Sequence, residues 1–319
     1  MNEFLQLHCR CPNCRKRALV FSYCKVVCDQ CNSEFPIVGE VPALIRHDNE
    51  VFPLGSYFAI NLKLNNQKSS LLTTASKFIP SPSVNLSYAV ILKKFANELC
   101  HFNPAYVLVV GSGQQKDGLE KDLEEFDNIQ LFYCDVNIES TVDLFCDAHE
   151  LPFVAQVFHG VIITAVLEHV LYPDRVVSEV HRVLVEGGLL YSEVPFMQQV
   201  HEGAYDFTRY SLSGHRILLN QFQELSTGLV AGPGTALVWA IENFVLCFAP
   251  SRALKVIVKS AIRLIFFWIK YFDYLFKHNS QAMDSASCTY FLGKKSINTK
   301  TPDRVIIERY IGTKNIRHV

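Results

Sequence analysis

Four cysteines near the start of the chain form its clearest chemical pattern. They fall in two C-x-x-C pairs, Cys11 with Cys14 and Cys28 with Cys31, separated by residues suited to short strands. Each pair can present two thiolates from one tight turn, and two such turns supply the four tetrahedral ligands that Zn²⁺ prefers. A segment this small buries too little surface to fold alone, so a metal would supply folding energy. We predict a zinc ribbon over residues 1–48, with ligand-free thiols or a redox pair as the alternatives.

A second chemical pattern is a glycine turn that follows an apolar run. Residues 106–110 are typical of a strand buried on both faces, and the turn Gly111–Gly113 follows at once. A strand, a glycine turn and a helix open the nucleotide-binding α/β folds, in which glycines let the backbone approach a ligand. A second predicted strand, residues 129–135, ends in Asp135, whose carboxylate could accept hydrogen bonds from both hydroxyls of a ribose. A solvated strand end is the alternative for this acid.

The loop after the fifth predicted strand concentrates polar side chains. In open α/β sheets, ligands bind beyond the carboxyl ends of the strands, so this loop should border the site. His201 could take a proton from a hydroxyl or amine acceptor, Asp206 could orient it, and Tyr210 completes the candidate catalytic set. Arg209 could hold an anionic acceptor group, but an Asp206–Arg209 pair that only fixes the loop is the alternative. His169, in the preceding loop, has either a catalytic role or a bond to backbone.

These side chains need a scaffold, and the apolar runs predict one. Apolar residues at helical spacing over 84–100 predict a helix before the first strand, and strands and helices then alternate. The connection between the second and third strands is too short for a crossover helix, so we expect an extended loop there. We predict an α/β, Rossmann-like sheet with helices on both faces. Further strands are predicted at 142–147, 157–164, 189–194 and 288–293, and helices at 176–185, closed by Gly187-Gly188, and at 303–310.

Three runs in combination resemble the class I methyltransferases that use S-adenosylmethionine (SAM). They are Asp147–Phe153, Val166–Val170 and Glu179–Gly188, within a resemblance that covers about residues 84–232. The resemblance implies that the glycine turn meets the methionine part of SAM and that the acid after the second strand holds the ribose. It also implies that adenine meets the residues after the third strand, and the methyl group those after the fourth. By position these residues are Gly111, Ser112 and Gly113, then Asp135, then Asp147 with Ala148, then Thr164 with Ala165.

Two features depart from the pattern of that family. Val109 stands where an acid usually precedes the glycines, and Gln114 and Gln115 follow the turn where another glycine is usual. Asp147 also has an alternative role, because an aspartate at such a position can cap a turn. These departures keep open a domain that retains the fold but binds SAM weakly or not at all.

The cysteine segment has a resemblance of its own. The run Cys11–Ile45 resembles the small zinc-ribbon proteins that activate transfer-RNA and translation-factor methyltransferases. It also resembles the ribbon at the front of some ribosomal-RNA methyltransferases. A plain structural module is the alternative, because the ribbon carries no catalytic group.

An apolar helical insert, residues 233–278, interrupts the predicted methyltransferase-like domain at 84–296. Within Arg252–Lys277, charged residues recur at helical intervals as a narrow stripe beside a wide apolar face. This pattern fits a peripheral membrane contact, a helical pair packed on the domain, or a dimer contact, and we favour the packed pair. Residues 49–83 are typical of a linker, and 297–319 are predicted as a C-terminal tail helix.

Composition narrows the function. The formal net charge of -1 provides no global basic field for nucleic acid, and the N-terminus lacks a secretory pattern. We therefore expect a cytoplasmic protein with reduced thiols, with membrane association left open, and no spanning helix. We predict a SAM-dependent methyltransferase acting on a small-molecule, glycan or lipid-linked acceptor. The alternatives are an RNA methyltransferase whose ribbon grips RNA, which is less favoured, and a non-catalytic binding or scaffold protein.

Overall fold

The computed structural model describes residues 3–60, 79–114, 118–297 and 300–313. Most of the predicted linker, residues 61–78, lies outside this part of the chain, as do Gln115 and the end of the predicted tail helix, residues 314–319. Within the described part, no helix combines the length and the apolar character needed to cross a membrane.

A seven-stranded sheet forms the centre of the molecule, in the order β10-β11-β9-β8-β5-β6-β7. Strands β5 to β9 pair in parallel, β11 runs antiparallel to β9, and β10 runs antiparallel to β11. The predicted α/β, Rossmann-like sheet is confirmed. Its strands are Ala105–Val110 (β5), Ile129–Asp135 (β6), Leu144–Phe145 (β7), Phe158–Thr164 (β8), Leu184–Pro195 (β9), Phe222–Ala231 (β10) and Cys288–Lys295 (β11).

Helices cover the sheet through apolar faces. Ile91, Phe95 and Leu99, four residues apart, are fully buried on one helix. Phe95 packs where Gly160 leaves room, since a Cβ at Gly160 would lie 2.8 Å from its ring. The helices are Glu3–His8 (α1), Leu54–Ile60 (α2), Tyr88–Leu99 (α3), Leu119–Leu123 (α4), Pro173–Val183 (α5), Leu212–Leu218 (α6), Pro233–Leu246 (α7), Arg252–Phe266 (α8), Phe272–Phe276 (α9), Ser280–Asp284 (α10) and Asp303–Glu308 (α11).

Two predicted boundaries were wrong. Strand β7 is only two residues long, because Asp143 turns toward Tyr133 and accepts a 2.9 Å hydrogen bond from its backbone N–H. The helix predicted to close at the glycine pair ends at Val183, and both glycines lie inside β9. Gly187 has φ +76° there, and the register against β8 shifts beside it, so the glycines form a bulge. Strand β10 and helix α6 were not predicted.

The cysteine segment folds onto the large sheet. Its own small sheet contains Leu19–Phe21 (β1), Lys25–Cys28 (β2), Glu34–Val38 (β3) and Val41–Pro42 (β4). Phe4 of α1 stacks on Phe132 of β6 with ring centroids 3.8 Å apart, and Ala43 forms a parallel bridge to Phe145 of β7. One continuous hydrophobic core therefore runs through the cysteine segment and the large sheet.

The apolar insert turns part of its charged stripe inward. Arg263, Lys270 and Asp273 face α7, the backbone before α7 and Ser81, whereas Lys255 and Lys277 are exposed. Arg263 pairs with Glu242 at 2.7 Å, and Lys270 donates to the Ser81 carbonyl at 2.6 Å. Asp273, fully buried, accepts hydrogen bonds from the backbone of Gly232, Gly234 and Thr235 at the start of α7. The helices consequently present apolar side chains to the outside.

Those outward side chains form what we call the insert face. The exposed fractions reach 74% for Leu275 and 50% for Trp268. The face comprises Phe244, Phe248, Val256, Ile257, Leu264, Ile265, Trp268, Tyr271, Phe272, Tyr274 and Leu275.

Candidate functional site

The four predicted zinc ligands come together at the tips of two matching turns. The Sγ atoms of Cys11 and Cys31 lie 3.6 Å apart, as do those of Cys14 and Cys28, and all four lie within 4.8 Å of one another. Tetrahedral Zn²⁺ with Zn–S bonds of about 2.3 Å requires sulfur separations of about 3.8 Å. No disulfide joins any of the eleven cysteines, all of which lie in the described part. The donor set fits zinc.

The two turns share one hydrogen-bond pattern. In the first, the Arg15 N–H donates to the Cys11 carbonyl at 2.8 Å, and the Cys11 N–H donates to Lys16 at 2.9 Å. In the second, Asn32 donates to Cys28 at 2.8 Å, and Cys28 donates to Ser33 at 2.9 Å. Arg15 and Asn32, the residues after each pair, both have positive φ, 61° and 56°. Hydrogen bonds from Ser33 also lower the pKa of Cys31 to about 6, which favours its thiolate.

A cleft of about 740 Å³ opens at the carboxyl ends of the parallel strands. Its walls come from segments far apart in the sequence: the stretch after the cysteine segment, the glycine turn, and the loops after β6, β7, β8 and β9. Of the predicted cofactor residues, five line it: Gly111, Asp135, Asp147, Ala148 and Ala165. The other three, Ser112, Gly113 and Thr164, do not line it; Thr164 ends β8 next to Ala165.

The glycine turn has the features that a bound ligand requires. Gly111 and Gly113 have φ values of +67° and +64°, which favour glycine. A Cβ on Gly111 would lie 2.3 Å from Cγ2 of Val166, so a side chain there would displace the opposite wall. The Ser112 hydroxyl is buried and has no hydrogen-bond partner within the described residues. Val109 is buried within β5.

Asp135 lies on the cleft wall, but its carboxylate already has partners. One oxygen accepts from the Gly113 N–H at 2.8 Å and from the Ser140 hydroxyl at 3.1 Å. The other accepts from the Asn137 N–H at 2.8 Å. The carboxylate therefore fixes the glycine turn as well as facing the cleft, and of its four lone pairs one, on the oxygen that accepts from Asn137, is left without a donor among the described residues.

Asp147 has the capping role that was the alternative. Its side chain accepts from the His149 N–H at 2.9 Å and contacts the His149 ring at 2.7 Å and the Asn49 amide at 2.7 Å. Burial alone would raise the pKa of Asp147, but the hydrogen bonds from His149 hold it below its usual range. Ala148 follows on the cleft wall. Ala165, with φ +52°, is held by a 3.1 Å hydrogen bond to the Glu193 carbonyl.

Sequence reasoning missed the roof of the cleft. Phe52 and Tyr57, placed in the linker by the sequence, line it, and the Tyr57 hydroxyl donates to the Val136 carbonyl. The Phe52 ring lies nearly parallel to that of Tyr205, with centroids 6.2 Å apart. The two rings lie far apart in the sequence, and no local pattern links them.

The predicted catalytic residues divide into two groups. His201 lines the cleft, whereas Asp206 and Tyr210 lie behind it. Asp206 accepts from the His201 backbone N–H at 2.9 Å and from two nitrogens of Arg209, so this ion pair fixes the loop. Burial opposes ionisation, but the bonds from Arg209 hold the pKa of Asp206 well below its usual range. The Tyr210 N–H donates to the Pro195 carbonyl at 3.2 Å.

His169 is the unexpected neighbour of His201. Their Nε2 atoms are 3.0 Å apart, and both rings line the cleft. Nδ1 of His169 also lies 2.8 Å from the Tyr205 carbonyl, so the predicted backbone bond is present beside a place on the cleft wall.

Comparison with known proteins points to one class. Residues 124–192 match the family model described as a methyltransferase domain, and this match contains β6 to β8 and most of β9. No curated protein sequence matches the chain.

Solved structures share the architecture only distantly. The [4+2]-cyclase SpnF is 15% identical, with a TM-score of 0.46, over 72% of this chain and 93% of that one. Phosphoethanolamine N-methyltransferase 2 from Haemonchus contortus, in complex with SAM, is 16% identical, with a TM-score of 0.41; the match covers 66% of this chain and 52% of that one. A third structure is the complex of the Haloferax volcanii Trm112 methyltransferase activator with a putative methyltransferase. The matching chain is 16% identical, with a TM-score of 0.42, and the match covers 66% of this chain and 90% of that one. At these TM-scores the likenesses carry no argument about function.

Proposed function

We propose that the protein is a SAM-dependent methyltransferase acting on a small-molecule, glycan or lipid-linked acceptor. The observation that carries the proposal is the cleft at the carboxyl ends of the strands, whose wall includes Gly111 of the glycine turn and Asp135, with the Gly113 N–H bonded to that carboxylate. The methyltransferase family match over the adjoining residues supports it. A cleft of about 740 Å³ has room for both a nucleoside cofactor and an acceptor.

In the proposed mechanism, the protein mainly positions the reactants. SAM supplies a methyl group on a positively charged sulfur. The glycine turn and Ser112 would hold the methionine part, Asp135 the ribose, and the wall at Ala148 the adenine. The rings of Phe52 and Tyr205 would cover the bound reactants and exclude water from the cleft. The imidazole pair of His169 and His201 would accept the proton that an acceptor hydroxyl or amine loses.

The test is titration of the full-length protein with SAM by isothermal calorimetry. We expect one saturable site and competition by S-adenosylhomocysteine. Absence of binding at millimolar SAM would overturn the proposal in favour of a scaffold protein on the same fold. An RNA methyltransferase is the other candidate, and a salt-sensitive RNA mobility shift would favour it.

We also propose that the cysteine segment holds one Zn²⁺ on Cys11, Cys14, Cys28 and Cys31. The sulfur separations and the matching turns support this assignment. When bound, the ion would hold the two turns together. It would thereby also fix the start of the segment that continues to Phe52 and Tyr57 on the cleft wall.

For the insert face, we propose contact with an anionic membrane surface. The exposed apolar side chains of the insert face include Trp268, Tyr271 and Tyr274, rings whose polar tips suit a membrane interface, and they support this proposal. Exposed Arg252 and Lys277 would meet lipid headgroups.

Vesicle co-sedimentation tests the membrane proposal. The protein should bind vesicles containing phosphatidylserine at low salt and be released at high salt. Leu275→Asp should abolish binding, whereas Ile217→Asp, at an exposed apolar position on α6, should not. A wild-type protein that ignores the vesicles and instead self-associates would overturn the proposal in favour of a dimer contact.

A further inference from the structure

Next to His169 on the cleft wall lies a buried carboxylate, Glu168, that its surroundings leave without a hydrogen-bond partner. The Glu168 side chain is 1% exposed, and neither of its oxygens has a hydrogen-bond donor among the residues that the structure describes. An ionised carboxylate in this state is costly, so it requires either a proton or a cation. The nearest candidate ligands for a shared cation are the two imidazoles already noted.

The geometry points to a metal-ion site formed by Glu168, His169 and His201 at the acceptor end of the cleft. We propose that it binds one divalent transition-metal ion, such as Zn²⁺, and leaves coordination positions open toward the cleft. Two histidines and one carboxylate with open positions are a known donor set for catalytic zinc and for iron(II).

The distances suit a tetrahedral ion. The two Nε2 atoms are 3.0 Å apart, Nε2 of His169 is 3.7 Å from Oε1 of Glu168, and the three ligand atoms all lie within 4.8 Å of one another. Bonds of about 2.0–2.1 Å in tetrahedral geometry require ligand separations of about 3.3–3.5 Å. The observed separations lie on either side of that range, so small side-chain movements would close the site.

The surrounding hydrogen bonds prepare the ligands. A carbonyl oxygen can only accept, so the Tyr205 carbonyl, 2.8 Å from Nδ1 of His169, places the proton on that nitrogen. The lone pair of Nε2 then faces the proposed ion, as in many metal sites. Nδ1 of His201 lies 3.3 Å from the Gln199 carbonyl and 3.5 Å from both Asp206 and Arg209. Asp206 also fixes the His201 backbone, so the Asp206–Arg209 pair supports a ligand.

A metal-free arrangement is the competing state. Arg209 would donate to Nδ1 of His201, and Nε2 of His201 would donate its proton to His169. Glu168 would carry a proton, since a buried carboxylate without a donor is costly when ionised. The two states differ in one measurable property, the number of ions held by each chain.

The role of the ion rests on the proposed function, whereas the site itself does not. The open positions would take an oxygen of the acceptor, such as a hydroxyl, phenol or carboxylate. Coordination would hold that oxygen beside the cofactor cleft and lower the pKa of a bound hydroxyl. His201 would then serve as a ligand, and an oxygen acceptor would be favoured over an amine.

The experiment counts zinc on the full-length protein, without SAM. Protein dialysed against Zn²⁺ is analysed for metal by mass spectrometry, and we expect two ions per wild-type chain. Glu168→Gln and His201→Gln should each retain one. The matched control is His101→Gln, an exposed histidine in the turn before β5, at the opposite end of the sheet, which should retain two.

The ion on the cysteine turns serves as an internal folding control. Retention of that single ion by the cleft variants shows that their loss is local. A wild-type chain that holds only one zinc, which Cys28→Ser removes, would overturn the inference and leave the metal-free state. Cobalt substitution identifies the remaining ion, because only the cysteine site gives thiolate-to-metal charge-transfer absorption.

Discussion

The cysteine turns and the cleft bring chemical groups together in opposite ways. The turns repeat one local structure twice, with the same hydrogen bonds and the same positive φ after each pair. The cleft draws its walls from six separate segments, and its histidines lie 32 residues apart in the sequence. A group fixed by local spacing is visible in a sequence, whereas a group assembled by loops is visible only in the fold.

The two regions are nevertheless joined. The chain leaves the cysteine segment at Ala43, which pairs with β7, and reaches the cleft roof at Phe52 and Tyr57. Arg46 and Asn49 lie between these points and contact Glu150 and Asp147, and Asp147 lines the cleft. A change at the cysteine turns should therefore alter the cleft, although the four cysteines themselves do not line it.

The largest expected effect comes from Cys28→Ser. Structural zinc contributes about 10–16 kcal/mol of apparent binding free energy in small zinc domains, so its loss should unfold the cysteine segment. Because that segment shares the hydrophobic core, the melting temperature of the whole chain should fall, and SAM affinity should fall with it. Calorimetric melting, zinc content and SAM titration measure the three quantities.

Cys24→Ser is the control for that prediction. Cys24 is exposed and lies on the same segment, outside the four-cysteine cluster. It should leave zinc content, melting temperature and SAM affinity unchanged. If Cys28→Ser lost zinc but kept full SAM affinity, the two regions would be independent, and the roof would be held by other contacts.

A pair of glycine substitutions compares the regions directly. Gly39 after β3 and Gly111 in the cleft have similar φ values, +55° and +67°, but only Gly111 would place a Cβ against Val166. Gly39→Ala should lower the free energy of unfolding by about 1–2 kcal/mol, the cost of the left-handed conformation. Gly111→Ala should lower it by about 2–5 kcal/mol, because displacement of Val166 adds to that strain.

SAM titration adds the functional half of this comparison. Gly111→Ala should weaken SAM binding strongly, while Gly39→Ala should not change it. Urea unfolding of both variants gives the free energies. Equal losses of stability would show that Val166 yields without cost, and unchanged SAM affinity in Gly111→Ala would place the cofactor elsewhere.

The sequence predicted the parts of the fold that depend on local pattern. The parallel strands β5 to β9, the cysteine turns and the short loop after β6 were indicated, because each has its own apolar period or spacing, whereas β10 was not. The glycine pair at the Gly187 bulge was predicted to end a helix, because such a pair is typical both of helix ends and of bulges in strands. The inward orientation of some charged residues of the insert could not be predicted, because helical periodicity places them on one face but does not show whether that face meets the protein or the solvent. Glu168 gave no signal, as its character comes from burial alone.

The smallest effect, and the most specific, concerns Asp135. Asp135→Ala removes the acceptor proposed for the ribose hydroxyls, and hydrogen bonds to charged groups contribute about 1.5–3 kcal/mol. SAM should therefore bind about ten- to a hundredfold more weakly. The same carboxylate holds Gly113, Asn137 and Ser140, so the free energy of unfolding should also fall, by about 1–3 kcal/mol. Loss of stability alone cannot separate the two roles of Asp135.

Asp143→Ala supplies the control, because Asp143 accepts a backbone hydrogen bond from Tyr133 in the same region but does not line the cleft. It should lower stability by a similar amount and leave SAM affinity nearly unchanged. If both variants lost SAM affinity in proportion to their loss of stability, Asp135 would be a support of the glycine turn and not a contact of the ribose.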